Sequence, residues 1–472
     1  MRLQTPFDDV AFEASERTEE EWRKLMVQES TLMAIGRFIV KHRGGGTPTL
    51  LSILKAGSFN AQFRMEFQDG GSAVIRFPKA GTTMFPEEKI QNEVATMKLI
   101  QEKTTIPVPF ILHWGSREES PLQLGPFIIM EYVKHHTDMG QALNIPGRSL
   151  QDPPYLDPNI NPAKLEKLYR QVADILLQLS RLQFPAIGAF EETDDCTWEV
   201  TQRPLSMFMN ELIRLGSFPR AKLPESTFQA SPDYFERLAQ LHLDHLTYQR
   251  NDAVESEEDG KRKFIARHLF YNLAREKTLS SAMHSSGPFR LWCDDLRPSN
   301  ILLDEDLQIV AVVDLEFSYA APVEFSFAPP WWLILEQPEY WPYGLDDWEK
   351  IFQRRLPTFL KAMAASEDAA IASGMLCEDQ RLSQHMRESW DNGDFWVMYA
   401  ARKNFAFDDI FWRRLYPRFF GPGVPEDAWK ERLEMLDVGD LEKMETLVAR
   451  KMKERETREL VWEPDEPPGQ RA

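Results

Sequence analysis

Between residues 291 and 319 the sequence reads LWCDDLRPSNILLDEDLQIVAVVDLEFSY, with acidic and amide side chains gathered at both ends of an apolar segment. Asp294, Asp295 and Asn300 stand at one end, Asp314 and Glu316 at the other. Phosphoryl transfer from ATP calls for such a set: positioned carboxylate and amide oxygens for magnesium, a base beside the acceptor hydroxyl, and a cation on the phosphates. Asp295 can serve as the base from its loop, while Asn300 and Asp314 share the metal. The competing reading is that Asp295 and Asn300 only cap turns, as such residues commonly do.

These side chains meet only if the chain between them folds back. Ile301 to Leu303 and Leu307 to Val313 are branched and aliphatic and flank the polar reversal Asp304-Glu305-Asp306, the pattern of a β-hairpin. Folding at residues 304–308 returns residue 313 to the neighbourhood of residue 300 and makes Asn300 and Asp314 neighbours. A cation is predicted from a separate unit. Glu93 interrupts the apolar stripe Ile90, Val94, Met97, Ile100 of a helix expected over Glu87 to Gln101. A buried unpaired carboxylate is very costly. Arg76, at the end of the strand SAVIRFP, is placed to neutralise it and to hold ATP phosphates; the alternative is that Glu93 reaches solvent at the stripe's edge. In KAGSFNAQF, Gly57, Ser58 and Asn60 mark a turn whose backbone amides can cover phosphates, although an ordinary hairpin turn fits equally. Backbone groups from Glu131 to Val133, where PFIIMEYVK leaves a strand, can face an adenine ring.

The remaining elements divide the chain. Residues 1–30 read as an extension with a short helix around Glu19 to Met26. A β-rich unit over 31–133 carries two alternating runs joined by Asp69-Gly70-Gly71, the Glu93 helix, and strands at Phe110 to Trp114 and Phe127 to Tyr132. A large helical unit over 134–450 contains the catalytic hairpin and an amphipathic helix opened by Asn161-Pro162. Glu255 to Lys263 reads as a solvated loop, Arg450 to Arg458 as an exposed helix, and the tail within 451–472, ending EPDEPPGQRA, as disordered.

Composition limits the partners. The chain has 472 residues, 43% of them hydrophobic, enough for two or three domains or lobes, and a net charge of −19. That charge argues against a nucleic-acid partner, which is bound through clustered Lys and Arg. Cys196, Cys293 and Cys377 are odd in number and far apart, which fits reduced thiols. No stretch approaches the roughly 20 apolar residues of a membrane helix. The acidic first residues, with Asp8, Asp9, Glu13 and Glu16, suit neither a secretory leader nor a transit peptide, so a cytoplasmic location is expected. Nothing in the residues sets an oligomeric state.

DDLRPSNILLD followed by VVDLEF resembles the catalytic-loop and metal motifs of kinase-like phosphotransferases. From about Leu50 to Phe420, including EVATMKLIQEKTTIPVP and YAARKNFAFDDIFW, the chain is similar to fungal-type aminoglycoside phosphotransferase-domain proteins. The resemblance implies an α+β, bilobal protein-kinase-like fold with a magnesium-ATP cleft between lobes, Asp295 as base, Asn300 and Asp314 as magnesium ligands, Arg76 as phosphate-binding cation and Glu93 as its partner. The implied reaction moves the γ-phosphate of ATP to a hydroxyl of a small molecule. The acceptor pocket is expected from the insertion between Asp138 and Leu156 and the run FSFAPPWWLILEQPEYW, whose aromatic and acidic residues suit a cationic or an apolar acceptor. Two departures stand out: Cys293-Asp294-Asp295 replaces the family's His-Gly-Asp, and Arg76 stands where kinases carry Lys. They motivate a second reading, a nucleotide-binding pseudokinase scaffold; nucleotidyl transfer to a protein is a third.

Overall fold

The computed structural model describes residues 4–460 apart from 55, 56, 150, 151, 196, 423–426 and 435. Its first lobe is a five-stranded antiparallel sheet in the order β1-β2-β3-β5-β4, made by β1 (Pro48–Ile53), β2 (Asn60–Phe67), β3 (Ser72–Pro78), β4 (Ile111–Gly115) and β5 (Phe127–Glu131). One face buries Phe63, Ile75 and Phe77 against Ile35 and Ile39 of a helix over Glu29–Arg43. The other packs Val74, Ile128 and Met130 on Ile90 and Val94 of the helix Pro86–Lys103. Side chains alternate along a strand. Two residues after Val74, Arg76 therefore faces that second helix, while Ile75 and Phe77 face the opposite core.

The second lobe is mainly helical and carries the chain's largest apolar core. The helix Pro162–Ser180 begins on the expected cap, with Asn161 Oδ1 accepting from the amides of Ala163 and Lys164. The hairpin that carries Asp295, Asn300 and Asp314 enters through β6 (Phe289–Cys293), makes a short turn at Pro298–Asn300, and folds back as β7 (Ile301–Leu303) on β8 (Ile309–Val312). The amide of Val313 donates to the carbonyl of Asn300 at 2.9 Å, the fold-back read from the sequence.

Three local expectations are corrected. The N-terminal helix is long, Asp9–Met26, and starts at Asp8, whose carboxylate caps it. The Glu255–Lys263 charge run is the start of a helix, Glu257–Arg275, in which Asp259 and Lys263 neutralise each other one turn apart at 2.8 Å and are both buried. The last helix, Val438–Glu454, buries Met444, Val448 and Lys451, and the carbonyl of Glu459 accepts from Asn251, so the expected tail is tied down well past residue 450. The stretch EPDEPPGQRA and Cys196 lie outside the described residues. Cys293 is buried and Cys377 exposed, and both are free.

Candidate active site

The two ends of the hairpin and the two facing elements of the first lobe converge on one buried network of charge. Arg76 pairs with Glu93 through one guanidinium nitrogen and with Asp314 through another. Arg76 and Glu93 are buried, and Asp314 keeps 26% of its side chain exposed. Burial holds the Glu93 carboxyl above its usual range against the opposing pull of the guanidinium, while the surrounding carboxylates outweigh the burial of Arg76 and hold it protonated. Sequence reasoning missed a second pair beside this one. Lys89, one helical turn before Glu93, is bonded to Glu316 and donates to Asn60 Oδ1 at 2.8 Å. Asn60 Nδ2 in turn donates to Glu316 Oε2 at 2.9 Å. The amide read as part of a phosphate-covering turn thus has its side chain buried in an inter-lobe triad. Lys89 and Glu93 are four apart and share a helix face, a spacing that was available in the sequence.

The Asp314–Phe317 segment is held in an uncommon shape. Asp314 and Phe317 have φ of 55° and 56°, a left-handed conformation that a bulky residue adopts only when its surroundings impose it. Here the surroundings are the Lys89–Glu316 pair, the edge-on contact of Phe59 with Phe317 at 5.4 Å between ring centres, and the Asp294 amide on the Phe317 carbonyl.

Asp295 is 7% exposed. Its Oδ2 accepts from Asn300 Nδ2 at 3.2 Å, its carbonyl accepts from the same amide at 2.9 Å, and Arg297 Nε lies 3.2 Å from Oδ1. Desolvation pushes its carboxyl up to about 7, with Arg297 opposing and Glu316 and Asp314 adding to the rise. The Asn300 amide thus fixes Asp295 with its nitrogen, while its oxygen accepts a long hydrogen bond from Ser299 Oγ at 3.4 Å and has a second lone pair for another partner. Asp294, in the place where the resemblance leads one to expect Gly, is held by side-chain hydrogen bonds. Its carboxylate accepts from the Met207 amide at 3.0 Å, Trp292 Nε1 at 3.0 Å and Arg402 at 3.2 Å, which ties the hairpin to two helices. Burial pushes the neighbouring Cys293 thiol up to about 12.

Above Asp295 lies a cleft of about 510 Å³, walled by Ser58 and Phe59 from the first lobe and by Phe208, Glu211, Trp331 and Lys403 from the second. The aromatic run contributes Trp331, Gln337, Glu339 and Tyr340, while Trp332 is core. Among the described residues, none of the insertion between Asp138 and Leu156, expected in this wall, lines it; Tyr155, at its end, packs edge-on against Trp341 at 5.0 Å. Residues 4–7 supply an unforeseen wall, anchored by Gln4 Nε2 on the Glu339 carbonyl at 3.1 Å and by Thr5 Oγ1 on Asp408 at 3.0 Å. At the strand exit, the amides of Glu131 and Tyr132 are bonded to the carbonyls of Phe110 and Ser72, and the Val133 carbonyl accepts from His135. Gly57 donates its amide to the Asn60 carbonyl at 3.1 Å.

The donor set fits magnesium. Among the described residues no group of three or more His, Cys, Asp or Glu side chains is gathered for a metal, and magnesium is usually held by one or two carboxylates together with substrate phosphates. One amide oxygen, Asn300 Oδ1, and one partly exposed carboxylate, Asp314, meet that requirement. Arg76 Nε is buried without a hydrogen-bond partner among the described residues, a donor left over for an anion.

A protein-family model described as the phosphotransferase enzyme family (APH) matches residues 51–356. Among curated proteins, the chain is 24% identical over 328 residues to "Altered inheritance of mitochondria protein 9, mitochondrial" of Yarrowia lipolytica, covering 63% of this chain and 52% of that protein. The protein of the same name from Debaryomyces hansenii is 23% identical, with 59% and 48% covered. The chain thus spans about half the length of these two relatives. Solved structures resembling it include aminoglycoside phosphotransferase APH(4)-Ia in a ternary complex with AMP-PNP and hygromycin B, at 14% identity, 80% and 98% coverage and a TM-score of 0.41. Another is Plasmodium vivax ethanolamine kinase, at 12% identity, 92% and 93% coverage and a TM-score of 0.43. Among the described residues no helix is long and apolar enough to cross a membrane.

Proposed function

Since the chain belongs to the phosphotransferase enzyme family, we infer that it transfers the γ-phosphoryl group of ATP to a hydroxyl of a small molecule. The observation that supports this reading best is the convergence of Asp295, Asn300, Asp314 and the Arg76–Glu93 pair, drawn from two lobes, beside a cleft with space for an acceptor.

Asn300 Oδ1 and Asp314 would hold magnesium, which when bound supplies charge neutralisation on the phosphate oxygens. Arg76, kept in place by Glu93, offers its charge and the free Nε donor of its guanidinium to the phosphates. Ser58 covers the phosphate side from the loop before β2, which Gly57 closes by donating its amide to the Asn60 carbonyl, and backbone groups of Glu131 to Val133 border the adenine. Asn60 acts at one remove, through the Lys89–Glu316 triad that holds the Asp314 segment. Asp295 orients the acceptor hydroxyl and takes its proton as the oxygen attacks. The bond from that oxygen to the γ-phosphorus forms as the bond to the β-phosphate oxygen breaks. A carboxyl poised at about 7 is suited to take up a proton near neutrality. Asp294 and Cys293 do not touch reacting atoms in this account; Asp294 braces the loop by three hydrogen bonds, in the place of the family's small residue.

The test is incubation of the protein with a metabolite pool, labelled ATP and magnesium, with Asp295→Asn in parallel. A labelled product made by the wild type alone supports the reading. ADP-free transfer of a nucleotidyl group, seen by mass spectrometry, would replace it. The cytoplasmic placement read from the sequence stands beside the mitochondrial names of the two curated relatives, and fractionation of cells expressing a tagged chain separates the two locations.

A further inference from the structure

An aromatic and acidic cleft suits either a cationic or an apolar acceptor, and the side chains around Asp295 choose between them. The carboxylates of Glu211, Glu339 and Asp294 and the rings of Phe208, Tyr399, Trp331 and Trp292 each already hold a cation belonging to the chain. The Lys403 ammonium lies 4.2 Å from the ring centre of Phe208, 5.3 Å from that of Tyr399 and 5.9 Å from that of Trp331, and 3.5 Å from Glu339. Arg402 sits 4.5 Å over Trp292 and 3.2 Å from Asp294. Glu211 has Arg214 at 3.7 Å. A cationic acceptor would have to evict a tethered cation from both its ring faces and its carboxylate.

An apolar group meets no such competitor. Behind the partition formed by Asp294, Trp331, Tyr399 and Arg402, which border both spaces, lies a chamber of about 50 Å³. Its walls are Leu176, Leu179, Leu291, Trp332, Met386 and Phe395, and Cys293 closes it on the side of the catalytic hairpin. Protein interiors contain few voids larger than a water molecule, and an empty apolar one costs stability in proportion to its volume. Apart from Ser180, Ser326 and the charged pair Asp294 and Arg402 on the partition, the lining is apolar, and cavities of that character take up apolar ligands. We propose that this chamber is a subsite for the apolar arm of the acceptor, so that the substrate is an uncharged amphipathic alcohol. Its hydroxyl meets Asp295 in the cleft and its hydrocarbon end passes the Trp331–Arg402 partition. The proposal rests on the phosphotransferase reading for the hydroxyl end; the chamber's preference for apolar groups stands on its own geometry.

The probe for the chamber is fluorobenzene, followed by fluorine NMR. Wild type should broaden its resonance saturably. Ala328→Phe, which fills the chamber from its wall, should abolish the effect, and Ala369→Phe, in a separate groove bounded by Arg170 and Ser366, should leave it unchanged. Should Ala328→Phe lose its cooperative melt, Ser180→Phe fills the same chamber from another wall. Linear primary alcohols from ethanol to octanol are then offered as acceptors with labelled magnesium-ATP. KM should fall about fourfold per added methylene until the chamber is full, and the trend should vanish in Ala328→Phe. Choline, a cationic alcohol, should gain nothing over a neutral alcohol of its length. Absence of saturable fluorobenzene binding, equal binding by Ala328→Phe, a KM independent of chain length, or a preference for choline each overturns the subsite. Failure of the phosphotransferase reading looks different: no alcohol is phosphorylated, while fluorobenzene binding is still lost only in the chamber variants. That result keeps the chamber as an apolar ligand site and overturns its assignment to an acceptor.

Discussion

Replacing Lys89 by methionine removes an ammonium and leaves the rest of the side chain's volume in place. Glu316, which is 2% exposed, then keeps one direct neutral donor, Asn60 Nδ2 at 2.9 Å, and loses its ion-pair partner. Breaking a buried pair from one side typically costs about 3–5 kcal/mol, because the remaining charge is uncompensated. Unfolding entropy of roughly 2.1 cal/mol/K per residue gives about 1 kcal/mol/K for a chain of 472 residues, so Tm should drop by about 3–5 °C if the chain melts as one unit. Calorimetry on Lys89→Met, Glu316→Gln and the double variant measures this. The double variant should be clearly less destabilised than the sum of the singles, since neutralising both partners removes the orphaned charge. Magnesium-ATP affinity should fall with stability in Lys89→Met, because Glu316 anchors the segment that carries Asp314. A change of under about 0.5 kcal/mol, the scale of an ordinary surface substitution, or strict additivity in the cycle, would refute the inter-lobe role of the triad.

Further outcomes follow from the same network. Magnesium-ATP should raise Tm by mass action on the native state, and Asp314→Ala should lose most of the magnesium-dependent part; equal shifts in a thermal-shift assay would remove Asp314 from the metal site. Arg76→Ala and Glu93→Ala should each weaken ATP binding, and the double variant should cost less than their sum by titration calorimetry; additivity would dissolve the pair. Burial raises the Asp295 carboxyl to about 7 in the metal-free protein. The native state then keeps a proton that the unfolded chain releases near pH 4, so stability falls as pH climbs from about 4 to about 7 and levels off above. Asp295→Asn should remove its share of that slope and so flatten it in denaturant titrations with chelator present, and identical slopes in both proteins would contradict the shift.

The hairpin was legible because every signal for it is local: aliphatic strands, a polar reversal, and polar residues at matched distances from the turn. Glu93 was legible for a related reason, as a carboxylate standing in an apolar stripe, and period-two alternation brought Arg76 to the same side. Lys89 carries no such mark. A lysine at the edge of a stripe ordinarily extends its ammonium to water, and only Glu316, more than 200 residues later, makes its burial affordable. The helix Glu257–Arg275 was hidden by its own charges, which neutralise one another across a turn and so do not require solvent. The first wall of the cleft was equally invisible, since Gln4 and Thr5 owe their positions to Glu339 and Asp408. The tether that Asp294 makes to Met207, Trp292 and Arg402 depends on two helices far from the loop in sequence, one well before it and one well after it.

In the proposed mechanism Asp295 takes the proton of an acceptor hydroxyl while other groups hold the nucleotide. The most direct measurement is the turnover of Asp295→Asn at saturating magnesium-ATP with an acceptor found in the metabolite screen, set against its ATP Kd. Loss of the carboxylate should depress turnover by about 10²–10⁴-fold, the range for loss of a general base, with Kd unchanged within about twofold. Turnover near the wild-type rate with normal ATP binding would contradict the account.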